Sequence, residues 1–227
     1  GKLAVQAGKA PRMERKAVKE AFVSRLETPG LSVRGVKLFQ GLLNRPEQEA
    51  LLDALRAIIR VAPLCQPETS RGQKMSVRMT SAGDVGWVSD QSGYRYQAMH
   101  PGGMPWPDIP PEVLDIWDVV SGDLVRPDTC LINFYGEDAK MGMHQDRDEA
   151  DLSHPVVSIS LGDDALFRIG NTTRGGKTES IWLKSGDVLT LGGEARMLYH
   201  GIDRVRHGSS TLLPKGGRVN LTLRVAG

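Results

Sequence analysis

From Thr129 to the C-terminus the chain is a succession of short apolar runs: CLINFY, PVVSISLG, ALFRIG, SIWLK, DVLTLGG, RMLYHGI and RVNLTLRV. Turn signals separate them, among them GED, GDD, RGGK, SGD and PKGG. Seven or eight strands at this spacing, with no helical period between them, lack the crossover helices that a parallel sheet requires. The expected product is an antiparallel sandwich or barrel, and a jelly roll is the natural candidate. Upstream the pattern changes. Residues 46–60 (PEQEALLDALRAIIR) set Leu51, Leu55, Ile58 and Ile59 on one helical face, with Pro46 in the first turn. Residues 111–120 read as a second, shorter helix with Val113, Ile116, Trp117 and Val120 on one side. Between them, 71–104 is rich in Gly, Ser, Met and aromatics without a helical period, so short hairpins or a mobile flap would both fit. Segments of this kind tend to carry function.

Composition narrows the class. Hydrophobic residues make up 40% of the 227 and charged residues 25%, which excludes wholesale disorder. No run approaches the ~20 apolar residues of a membrane-spanning helix, and the first sixteen residues contain no secretory h-region. Cys65 and Cys130 are too few for a disulfide framework, so a cytoplasmic protein is expected. The formal charge is +2 overall, yet residues 1–25 hold seven Lys and Arg against Glu14 and Glu20. A basic arm suits a nucleic-acid partner. Taken alone, residues 1–28 read as a solvated, partly disordered tail ahead of a single domain over 29–227.

Chemistry concentrates at Met143-His144-Gln145-Asp146. His144 and Asp146 are two apart, so at a strand end both project from the same face. His200, closing LeuTyrHis, can supply a third ligand. Two imidazoles and a carboxylate on one side of a metal leave positions open for other molecules; by residue type alone, zinc and non-haem iron fit equally. His100 reads as a loop residue, and His154 and His207 as solvated turn neighbours. In the last strand, Arg218, Asn220, Thr222 and Arg224 alternate with apolar residues and share a face. CLINFY likewise pairs Asn133 with Tyr135. Pointed into a barrel, these faces would supply guanidinium forks, amides and a phenol, a set suited to a small dicarboxylate.

AsnPheTyr, GEDAKMGM, HQDRDEADL, SISLG, SGDVLTLGGEARMLYHGI and RVNLTLR together resemble the bacterial AlkB family. MSVRMTSAGDVGWVSDQSGYRYQ resembles that family's nucleotide-recognition lid, and MPWPDIP continues the likeness. The resemblance implies a mainly β (α+β) fold, a double-stranded β-helix (jelly roll) core over 128–227 with N-terminal helices and a lid over 70–105. It implies an Fe(II)- and 2-oxoglutarate-dependent dioxygenase that consumes O2 and demethylates N-alkylated bases, releasing formaldehyde, succinate and carbon dioxide. DNA, single-stranded or duplex, would be the partner and RNA an alternative; a monomer is expected and no membrane. A protein side chain as target, or a non-catalytic nucleic-acid binder with a structural metal, are the competing readings.

Carried over by position, His144, Asp146 and His200 would hold the iron. Arg218 and Tyr135 would meet the distal carboxylate of 2-oxoglutarate, and Asn133, Asn220 and Arg224 its chelating end, with Phe134 lying between Asn133 and Tyr135. Trp87, Tyr94, Arg95 and Tyr96 would form the lid's contacts with the substrate. Asp148 and Arg174 would add further contacts, and Met79, Lys140 and Gln145 would stand near the same pocket. The chain departs from the best-known bacterial members at Phe134 and Arg147, where those carry Arg and Lys, and in the Asn171-Thr172-Thr173 loop before Arg174.

Overall fold

In the computed structural model, which describes residues 12–26 and 30–227, all strand pairings are antiparallel. Helix α1 (Arg12–Leu26) is followed by a small hairpin, β1 (Leu31–Val33) and β2 (Val36–Phe39), and by α2 (Arg45–Val61). Strands β3 (Arg78–Gly83), β4 (Gly86–Asp90) and β5 (Gly93–Gln97) precede α3 (Pro111–Val120). The strand-rich half then runs β6 (Thr129–Tyr135), β7 (Met141–His144), β8 (Val156–Gly162) and β9 (Asp164–Ile169). It ends with β10 (Glu179–Leu183), β11 (Val188–Leu191), β12 (His200–Arg206) and β13 (Arg218–Arg224).

Seven strands form one sheet, in the order β1-β2-β11-β8-β13-β6-β3, and four form the other, β10-β9-β12-β7. Leu38, Leu131 and Leu191 from the first meet Phe167, Ile169 and Leu183 from the second, giving the two-layer jelly roll the strand spacing predicts. Helices cover the outer face of the larger sheet. The apolar stripe of α2 (Leu51, Leu55, Ile58) and that of α3 (Val113, Ile116, Trp117) pack on Ile132, Ile159, Leu221 and Leu223. Asn44 and Glu47 form a reciprocal capping box at the start of α2, which contributes about 1 kcal/mol.

This layering decides the fate of β13. With helices on one side and the second sheet on the other, all seven of its residues are buried. Its apolar residues face the helices. Its polar ones enter the space between the sheets, where they persist only if something satisfies them.

Several expectations need correction. Residues 1–11 and 27–29 lie outside the described residues, but 12–26, read as tail, form α1. Phe22 and Leu26 of α1 join the helix–sheet core, and its cations face α3: Lys19 Nζ lies 2.7 Å from Asp118 and 3.8 Å from Asp115. A Phe and a Leu four apart were the helical signal beneath the charge. The run RMLYHGI is strand only from His200; residues 193–195 form a 3-10 turn and Arg196 turns inward. Strands β1, β2 and β7 are too short for their alternation to stand out in the sequence. His100 is a loop residue as read, though a buried one, whereas His154, read as solvated, pairs with Asp123 at 2.6 Å.

Candidate active site

Register brings the three candidate ligands together. His144 closes β7 and His200 opens β12, and the two are directly paired across the ladder. Asp146 follows two residues after His144. Gly201 permits this close pairing, because a Cβ there would lie 2.6 Å from the Met141 carbonyl oxygen. The ligand atoms of the three residues all fall within 4.8 Å of one another. Each His Nε2 lies 3.7 Å from an Asp146 carboxylate oxygen. On the far side of each ring, Nδ1 donates to a backbone carbonyl, His144 to Gly142 (2.8 Å) and His200 to Leu198 (3.0 Å). That fixes Nε2 as the free lone pair aimed at a common point.

Electrostatics leave Asp146 and His200 in their metal-ready forms. Burial works to raise the Asp146 carboxyl, but Arg224, His200 and His144 outweigh it and hold it well below the usual carboxylate range. Arg224 Nη2 donates to Asp146 Oδ1 at 3.0 Å. Burial depresses His200 to about 4 against the pull of Asp146, so its ring is neutral at pH 7. Two imidazoles and a carboxylate fit a divalent iron with open positions.

Beside the trio lies a cavity of about 470 Å³ lined by both sheets. Arg218 pairs with Tyr135, and Asn220 with Asn133, across β13 and β6, so all four side chains line it as the alternation predicts. Arg218 is 1% exposed, and its Nε and Nη1 have no hydrogen-bond partner. Asn133 Oδ1 and Arg224 Nε are likewise unsatisfied. The Tyr135 phenol, pushed up to about 12 by burial, stays neutral, and its ring lies 5.6 Å from the Arg218 guanidinium. Asn220 is oriented by Ser158 and Thr222. A buried arginine without an anion is costly and cannot shed its proton. The cavity is therefore built for a carboxylate at that end, and the residues present fit 2-oxoglutarate beside the metal.

At the mouth stands the β4–β5 hairpin. Trp87 and Tyr94 stack at 5.5 Å, and Trp87 Nε1 donates to Asp148 Oδ2 at 3.0 Å. Tyr96 donates to Glu149 at 3.2 Å. These residues line the same cavity with Met79, Gln145 and Arg174. Three predicted residues lie elsewhere. Arg95 faces away from the cavity and pairs with Asp90 through two 2.9 Å contacts. Phe134 lies on the helix side of β6 beneath Arg78, as alternation with Asn133 and Tyr135 requires. The exposed Lys140 does not line the cavity; its backbone exchanges hydrogen bonds with Ser76.

Arg196 and its partner Glu149 went unnoticed in the sequence. Arg196, 4% exposed, donates to the Asp146 and His154 carbonyls and pairs with buried Glu149 at 2.6 Å. It thus anchors the backbone of a metal-ligand candidate, and through Glu149 it reaches Tyr96 in the hairpin. The available signal was a charge inside an apolar run, AlaArgMetLeu.

Comparison with known proteins agrees with this geometry. Residues 35–224 match the model of the 2OG-Fe(II) oxygenase superfamily. The chain is 49% identical to the "Alpha-ketoglutarate-dependent dioxygenase AlkB homolog" of Caulobacter vibrioides, over 93% of this chain and 97% of that one. It is 38% identical to the "Alpha-ketoglutarate-dependent dioxygenase AlkB" of Escherichia coli, over 79% and 85%. The solved structure of OsALKBH1 superposes with a TM-score of 0.71 at 30% identity, covering 86% of this chain and 99% of that one. The chain belongs to the AlkB group of the 2-oxoglutarate- and Fe(II)-dependent oxygenases.

Proposed function

We propose that this enzyme removes N-linked methyl groups from alkylated DNA bases, with Fe(II) held by His144, Asp146 and His200. In this reading Arg218 and Tyr135 receive the distal carboxylate of 2-oxoglutarate, and Asn133, Asn220 and Arg224 steady its other end. The observation that carries the reading is one cavity holding both the His-Asp-His trio and a buried guanidinium without an anion. Iron, 2-oxoglutarate and dioxygen supply the oxidation that hydroxylates the methyl group, so that formaldehyde is lost from the base.

The protein's own residues do the rest. Asp146 is kept ionised by Arg224 and His200 is kept neutral by burial, so both ligands stay available across the physiological range. Leu189, Leu191 and Phe167 give the inner cavity apolar walls that exclude water. A methyl on the Watson–Crick edge is out of reach in a duplex, so the base must leave the stack. Trp87 offers it an aromatic face, and the Asp148 carboxylate at the indole edge favours a base whose methylation makes it cationic. Arg174 at the rim suits a flanking phosphate.

The free thiols Cys65 and Cys130 support a reducing, cytoplasmic setting, and no described helix is long and apolar enough to cross a membrane. The test is formaldehyde release from 1-methyladenine and 3-methylcytosine in single-stranded DNA, with matched RNA alongside. Release from DNA is expected. Release from RNA alone would redirect the substrate, and release from neither would remove the reading.

A further inference from the structure

Arg174 reaches the cavity mouth on the β9–β10 loop, residues 170–178, and what holds that loop lies far away in the sequence. Arg34 occupies the first central position of the two-residue turn between β1 and β2, where Val33 pairs with Val36. Arg34 has φ 52° and Gly35 φ 85°, so both central residues are left-handed, as a type I′ turn demands. Asn, Asp or Gly normally fills such a position. Among the described residues Arg34 is the one non-glycine residue with positive φ, and turn chemistry gives no reason for an arginine there.

Its side chain gives one. Arg34 Nη1 donates to the carbonyls of Gly170 (2.8 Å) and Lys177 (3.0 Å) and to Asn171 Oδ1 (3.1 Å). Its Nε pairs with Glu179 at 2.8 Å. These acceptors bracket the loop, two at its start and two at its end. Asn171 ties the interior by donating to the Gly175 and Lys177 carbonyls. Gly176 leaves room for this, since a Cβ there would lie 2.7 Å from Asn171 Nδ2. Arg174, near the tip, lies over the Tyr199 ring at 4.9 Å and donates to the carbonyl of Met143, the residue before His144. Neither contact cancels its charge.

We infer that Arg34 is a positioning residue for substrate: it fixes the 170–178 loop so that the Arg174 cation meets a phosphate beside the target base. The inference rests on the nucleic-acid reading above. A cation on a loop already held in place loses less conformational freedom on binding than one on a free loop. Nη1 bridges the two ends of the loop while Nε holds Glu179, and an ammonium, with one nitrogen, cannot serve both sites at this fixed geometry.

The test compares wild type with Arg34→Gly, which suits the turn better than arginine and spares the hairpin, and with Arg34→Lys, which keeps charge without the fork. Hydrogen–deuterium exchange is followed over 170–178. Binding of a methylated single-stranded DNA oligonucleotide to metal-free protein is read by fluorescence anisotropy, and KM and kcat are measured on the loaded enzyme. In Arg34→Gly the loop is expected to exchange faster, and Kd and KM for the oligonucleotide to rise about fivefold. The kcat and the 2-oxoglutarate requirement should stay within about twofold on the same argument. In an Arg174→Ala background, Arg34→Gly should weaken binding no further. A looser loop with unchanged Kd, additive losses in the double variant, or full rescue by Arg34→Lys would each overturn the inference. Wild-type protein that neither binds nor demethylates any oligonucleotide would overturn the nucleic-acid reading instead. Faster exchange in Arg34→Gly would then still support the loop-fixing role, and unchanged exchange would end it.

Discussion

At the inner end of the cavity Arg218, Asn220 and Arg224 hang from β13, a strand paired on one side with β6 and on the other with β8. At the mouth Trp87 and Tyr94 hang from β4 and β5, which pair only with each other. Arg218 is 1% exposed and Tyr94 52%. The inner end is over-determined: register, burial and a helix layer leave its side chains one arrangement. The mouth is held by bonds at its margins, the Trp87–Asp148, Tyr96–Glu149 and Ser89–Glu68 bonds among them, and by packing of Val88 on Trp106. A small, invariant co-substrate suits the first construction. A base on a long polymer, as proposed above, suits the second, because its entry needs an accessible rim. Substitutions at the inner end should therefore disable the oxidative chemistry itself, and those at the mouth should change which substrate is taken and how tightly, except where a side chain is wired inward.

The largest effect is expected where the metal would sit. His144→Ala should lower turnover by at least ~1000-fold, about 4 kcal/mol of barrier. His144 is partly exposed, so the fold should survive, as far-UV circular dichroism would report. Substantial residual activity would break the assignment of iron to this trio. Next, Arg218→Met should raise the 2-oxoglutarate requirement by about 100-fold, as expected for losing a charge-assisted fork. The same change should leave the metal-free protein as stable or more so, because it deletes a buried charge without an anion. A large loss of stability together with an unchanged requirement would mean that Arg218 serves the fold rather than a ligand.

Acid should single out the inner end. Burial depresses His200 in the folded, metal-free protein from 6.5 to about 4. The unfolded chain therefore takes up a proton below pH 6.5 that the native state refuses. Stability is unaffected above that pH, falls as pH drops, and levels off below about 4. Between pH 7 and 5 the loss should be about 2 kcal/mol in urea unfolding. Asp146, held below its ordinary value, adds its own loss only under about pH 4. His200→Gln should flatten the window between 7 and 5, and a slope unchanged by that substitution would assign the proton elsewhere.

The same contrast explains what could be read in the chain. The inner end was legible because strands declare themselves by alternation: once Arg218, Asn220 and Arg224 share a face, burial of β13 between two layers does the rest. Alternation also excluded Phe134 from that face, and the likeness to known motifs had obscured it. At the mouth no period guides the eye, so Arg95 was grouped with Tyr94 and Tyr96 although a hairpin sends neighbours to opposite sides. Arg196 and Arg34 were invisible for another reason. Each acts on carbonyl groups many residues away, and main-chain acceptors leave no mark in a sequence.

The smallest expected effect is at the β4–β5 hairpin, and it is the sharpest test of the division. Tyr94→Ala removes one partner of the Trp87 stack, an exposed aromatic contact of about 1 kcal/mol. That predicts a rise of about fivefold in KM for a methylated oligonucleotide. The kcat and the 2-oxoglutarate requirement should not move, since Tyr94 hangs from a hairpin outside both main sheets. Tyr96 offers the counter-case. Its hydroxyl reaches Glu149, Glu149 holds Arg196, and Arg196 grips the Asp146 backbone. Tyr96→Phe should therefore disturb kcat more than Tyr94→Ala does, although it deletes a single oxygen. If instead Tyr94→Ala lowers kcat and Tyr96→Phe leaves it alone, the mouth and the inner end are not joined through Glu149, and the hairpin acts on the inner end by another route.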